Sequence, residues 1–146
     1  MNKNTFLIHL SESERTNFGR VDFATQPEAQ KVFSAIWELE SQVNNGGFDQ
    51  YFRNSDSDII AYAPVALRAI GALACADIVG RAIEVIAPLP PTQDGRYAAL
   101  DTAGEEGQDR LDTLDTEFFA YPDDLTGMLF EFVRERPSVF GPVPSK

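Results

Sequence analysis

Twice in this chain, apolar residues recur at the spacing of one helix face. Val32, Ile36, Leu39 and Val43 follow one another at intervals of four, three and four, with Phe33 beside them. Leu125, Met128, Leu129, Phe132 and Val133 form a second stripe at i, i+3, i+4, i+7 and i+8. Each stripe lies between breakers. Pro27 suits a first helical position, and Asn44-Asn45-Gly46-Gly47 is expected to stop the first helix. Pro122 opens the second, which is expected to run to Arg136, and Pro137 closes it. Asp123 and Asp124 in its first turn, with Arg134 and Arg136 in its last, suit the helix dipole.

Between these stripes the pattern stays helical. The segment from about Ser57 to Ile70 reads as one helix, interrupted or kinked at Pro64, and Gly71 breaks it. Leu73–Ile86 is apolar nearly all round, which predicts a central buried helix. Pro88, Pro90 and Pro91 end it, and Thr92–Gly95 reads as loop. A further helix is expected within Tyr97–Phe119. Phe48, Tyr51 and Phe52 read as an aromatic turn. Thr5–Leu10 reads as a short strand or an arm, and Ser11 with Glu14 as a capping box for a brief helix ending near Gly19. No alternating strand pattern follows residue 10. The expected class is all-α: one compact domain of about five to seven helices at 25–137, an irregular N-terminal arm at 1–24 and a loose tail at 138–146.

Charge is concentrated. Residues 101–124 hold nine acids (Asp101, Glu105, Glu106, Asp109, Asp112, Asp115, Glu117, Asp123 and Asp124) and one base, Arg110. Nine acids less one base leave −8, against −11 for the whole chain. On a continuous helix, Asp101, Glu105, Asp109, Asp112 and Asp115 would share an arc of about 120°. Leu100, Ala103, Gly107, Leu111, Leu114 and Phe118 would fall on the opposite side. Positions 101–117 would then carry a net −6 over about 24 Å of axis, or one charge per roughly 4 Å. A single DNA strand carries one per about 3.4 Å. Gly104 and Gly107 each oppose such a continuous helix by about 1 kcal/mol. A charged stripe is by default only a solvated face. If it has a macromolecular partner, that partner is basic, because so acidic a chain repels nucleic acid and anionic membrane.

Catalytic chemistry finds little support. The one histidine, His9, has no partner motif, so His-based metal sites and a Ser-His-Asp triad are not expected. Cys75 sits in an apolar L-A-C-A-D stretch and reads as a core thiol; alone, it forms no internal disulfide and suits a reducing compartment. Asn54-x-Asp56-x-Asp58 resembles the start of a calcium loop, but Ile59 stands where the turn glycine belongs and Val65 where the bidentate glutamate belongs. Ser55, Asp56 or Ser57 is better read as a helix N-cap. No cofactor, no metal and no enzymatic activity are expected. Without a secretion signal or a membrane-length apolar run, the cytoplasm is the expected compartment.

The block Glu40–Asn54, E-S-Q-V-N-N-G-G-F-D-Q-Y-F-R-N, is followed by A-L-R-A-I-G-A at Ala66–Ala72 and L-D-T-E-F-F-A-Y-P-D-D-L at Leu114–Leu125. This combination resembles a bacterial family of small all-helical proteins labelled as a domain of unknown function, whose named member is a DNA-mimic protein. The resemblance covers about 27–136 and is most specific at N-N-G-G-F-x-Q-Y-F. It implies an acidic protein that occupies the DNA-binding face of a transcription factor and relieves repression. Asp115, Asp123 and Asp124 lie in matching segments; the acids from Asp101 to Asp112 are placed by geometry alone. The nine acids of 101–124 form the expected partner surface, for a basic DNA-binding protein such as a transcriptional regulator, with the chain a monomer or weak homodimer. The alternatives are an immunity-type inhibitor of a basic nuclease toxin, and a small-ligand-binding helical domain using Trp37 and the aromatic turn.

Overall fold

The computed structural model describes residues 2–13, 15, 16 and 21–142. Among them lie seven α-helices, one short 3-10 turn (Phe23–Thr25) and no strand, so the chain is an all-α single-domain bundle. The helices are α1 (Lys3–Ser11), α2 (Glu28–Asn54), α3 (Ser57–Ala69), α4 (Leu73–Val85), α5 (Gln93–Phe119), α6 (Leu125–Arg134) and α7 (Pro137–Phe140). Helix α2 packs on α3 and α5, α4 on α3 and α5, and α1 on α6.

The predicted stop at Asn44–Gly47 is instead a break inside α2. Gly47 has φ 73 and ψ −176, after which the helix resumes to Asn54. Phe48, Tyr51 and Phe52 therefore lie on a helix, not a turn. All three are fully buried and join Ile36, Leu39, Ile60, Leu111 and Phe118 in the core. Gln50 and Asn54 reach back across the break to the Gln42 side-chain carbonyl, at 2.9 and 3.3 Å.

Three further expectations change. Thr5–Leu10 is helical rather than a strand or arm. The Asn2 side chain accepts the Thr5 N–H at 2.7 Å and starts α1, whose Leu7 and Leu10 enter the core. Ser11 is the last residue of that helix; Glu14 and Gly19, invoked for the next one, lie outside the described residues. Helix α4 buries one face only: Cys75, Ala76, Ile78, Val79 and Ala82 point inward, while Leu73 is 64% exposed. The C-terminal segment is not all loose, because Pro137–Phe140 makes a helical turn that buries Phe140 completely. Residues 143–146 are outside the described set.

Arg96 ties the middle of the bundle together. It is 3% exposed, and its Nε donates to the Phe52 carbonyl at 2.7 Å. Its Nη1 donates to Ser57 Oγ, which in turn donates to the Pro90 carbonyl at 2.6 Å. One guanidinium thus meets the C-terminal end of α2, the start of α3 and the loop before α5. Asp56 occupies the N-cap position of α3 without a side-chain cap bond.

Candidate partner-binding surface

Helix α5 carries the acids but is not one continuous rail. At Gly104 the backbone turns to φ 64 and ψ −157, the left-handed region in which glycine is unpenalised. Asp101 lies before this break and is out of register with the acids after it. Arg53, which feels the Asp101 charge, pairs with Asp49 at 2.8 Å and stacks over the Tyr97 ring at 5.1 Å. Beyond the break, residues 105–119 form regular helix. Leu111, Leu114 and Phe118 pack inward, and Glu105, Asp109 and Asp112 share one outward side within about 60°. Glu106 flanks them.

The nine acids divide by what their oxygens do. Asp101, Glu105, Glu106, Asp109 and Asp112 are exposed, and among the described residues none forms an ion pair. The only side-chain hydrogen bond to any of them comes from Gln108, to Asp112 at 3.1 Å. The remaining four are engaged by the fold itself.

Asp115 is half-buried, and its Oδ1 accepts the Phe48 N–H at 2.8 Å. That amide follows the break at Gly46 and Gly47 and begins the second part of α2, so Asp115 caps another helix from across the bundle. Gly47 is required here twice over. Its φ is positive, and a Cβ would collide with the Asp115 carboxylate. Burial is the largest influence on Asp115 and raises its pKa, with Asp112 and Asp49 acting in the same direction; the Phe48 amide opposes them. Asp123 repeats the device, accepting the Cys75 N–H in the first turn of α4 at 2.8 Å. Asp124 caps its own helix through the Gly127 N–H at 3.1 Å. Glu117 forms a two-pronged pair with Arg81 on α4, at 2.8 and 3.2 Å, while Arg81 also holds Asp77.

These four carboxylates are already engaged within the fold, so a partner would have to compete for them. The physical reason is that helix N-termini and a nearby arginine compete for carboxylates as a partner would. Asp49 belongs beside the surface, since its charge reaches Asp115, yet it falls within the Asn-Gly-Gly-Phe block and no periodic signal marks it. Glu40 likewise carries no periodic signal. It is half-buried, and burial followed by the charge of Asp124 pushes its pKa up to about 7.

The residues considered for chemistry stay apart. His9 is exposed on α1. Cys75 is buried, and desolvation first, then Asp123, pushes its thiol up to about 12, which disfavours the nucleophilic thiolate. Phe48 and Tyr51 are fully buried in the core. Trp37 instead borders a small cleft with Tyr121. Among the described residues no group of three or more potential metal ligands comes together, and no helix is long and apolar enough to cross a membrane.

The fold and surface define a small all-α protein with an unpaired acidic helix face. The DMP19-like protein family model matches residues 24–136, most of the chain, and the protein belongs to that family. No curated protein and no solved structure matches it.

Proposed function

We propose that this chain is a non-enzymatic DNA-mimic protein that docks on the basic DNA-binding surface of a partner, such as a transcriptional regulator, and blocks its access to DNA. One observation carries the reading: the exposed carboxylates of 105–112 form no ion pair among the described residues. Four acids less Arg110 leave −3 over about 10 Å of helix axis. That is one charge per about 3.5 Å, close to the spacing along one DNA strand. Arg110 itself turns toward a cleft shared with Arg81, Glu84 and Glu117 on the α4 side. Family membership agrees with the reading, since the resemblance noted in the sequence implies the same role.

A basic partner would steer onto such a face quickly, with affinity that drops steeply as salt rises. The test is affinity capture from the source cell at low salt, followed by elution with duplex DNA. A DNA-binding protein should be retained by the native chain, displaced by DNA and lost with E105K/D109K/D112K. Retention of the same proteins by that variant would defeat the proposal. If the captured partner is a nuclease rather than a regulator, the surface is the same and the role is that of an immunity-type inhibitor.

A further inference from the structure

A cleft of about 260 Å³ lies where α1, α2 and the loop after α5 meet. Ile8, Trp37 and Tyr121 supply its apolar and aromatic wall, and Glu40, Ser41 and Asn44 its polar side. We propose that this cleft receives one arginine side chain of the basic partner, its guanidinium lying against the Trp37 and Tyr121 rings and hydrogen-bonded to the Glu40 carboxylate. The inference rests on the DNA-mimic reading and adds to it a discrete anchor beyond the C-terminal end of the acidic helix.

Charge complementarity comes first. Glu40 is the only charged side chain lining the cleft, no basic residue lines it, and no hydrogen bond or ion pair within the described residues engages its carboxyl. Burial, and after it the charge of another acid, Asp124, make ionisation costly until a cation arrives. The walls then choose the cation. A guanidinium is planar, weakly hydrated and stacks on aromatic faces, whereas an ammonium holds its water more tightly. Size is the third constraint. Pockets for drug-sized ligands occupy about 300–1,000 Å³, so this one fits a side chain better than a free metabolite.

The aromatic wall is built rather than incidental. Trp37 is held from behind by Phe33, stacked at 5.5 Å and 10°. Tyr121 adopts φ 50, a left-handed conformation that is unfavourable for a bulky residue. Asn44 fixes its hydroxyl at 3.0 Å, and Phe118 packs on its ring at 6.2 Å. Even so held, the ring remains 46% exposed.

Trp37 is the only tryptophan, so its emission reports on this cleft. The probe is N-acetyl-arginine amide, titrated against the citrulline analogue at matched chloride. The expected result is a saturable change with arginine and none with citrulline, weakened at least tenfold by E40Q. Thermal melts should show E40Q folded at neutral pH. No saturable response, an equal response to citrulline, or unchanged arginine affinity in E40Q would overturn the proposal. E105K/D109K/D112K keeps the cleft intact and should bind the arginine probe normally. Loss of partner capture from the native chain, with normal arginine binding, would therefore fail the DNA-mimic reading and leave the cleft standing.

Discussion

Residues 105–112 and 115–124 of this protein each hold four acids, yet their carboxylates have different fates. In the first stretch Glu105, Glu106, Asp109 and Asp112 face water and form no ion pair among the described residues. In the second, Asp115 and Asp123 cap helices that belong to other parts of the chain, Asp124 caps its own, and Glu117 is clamped by Arg81. The contrast teaches that acid count does not measure available charge. A carboxylate near an uncapped helix start is drawn into the fold, and those left over keep their full hydrogen-bonding capacity toward solvent.

Glu40 offers the largest effect, because it is neither free nor engaged. Its folded pKa of about 7 lies above the ordinary 4.5. The folded state therefore holds this proton more tightly, and the stability it contributes is complete below about 4.5 and lost as pH rises through 7. E40Q should remove that loss, raising stability by about 2–3 kcal/mol at pH 8 and little at pH 4.5, read from urea melts at the two pH values. Gly47→Ala comes next. It forces a Cβ into both a positive φ and the Asp115 carboxylate, and should cost about 2 kcal/mol in the same melts. Asp115→Ala leaves the Phe48 amide uncapped and should cost about 1 kcal/mol. Breaking the exposed Arg81–Glu117 pair with E117Q should lower the melting temperature less than Asp115→Ala does. If E117Q were the more damaging, the ranking of the engaged acids would be wrong.

Much of the scaffold was legible in the residues. The stripes at Val32–Val43 and Leu125–Val133 named the core faces of α2 and α6, and the all-α class followed from their 3.6-residue period. The ends of α3 and α4 came within a residue or two of the observed bounds because Gly71 and Pro88 mark them. What periodicity could not show was that Gly46-Gly47 bends a helix without ending it. That outcome depends on a carboxylate 67 positions away, which supplies the missing cap for Phe48. The acidic surface was half legible for the same reason. Asp101 to Asp112 were placed outward by geometry, but the capture of Asp115 and Asp123 is a tertiary event between helices distant in sequence. Arg96 and Glu40 carried no local signal, since each acquires its role only through burial among several helices.

The division between free and engaged acids is tested most directly by pairing two variants and measuring both stability and partner binding. With E105Q/E106Q/D109N/D112N, the expected result is an unchanged or higher melting temperature and at least a tenfold loss of affinity for the captured DNA-binding protein. With Asp115→Ala, it is a lower melting temperature and near-native affinity while the chain is folded. Destabilisation by the first variant with binding retained, or loss of binding by the folded second variant, would contradict the division.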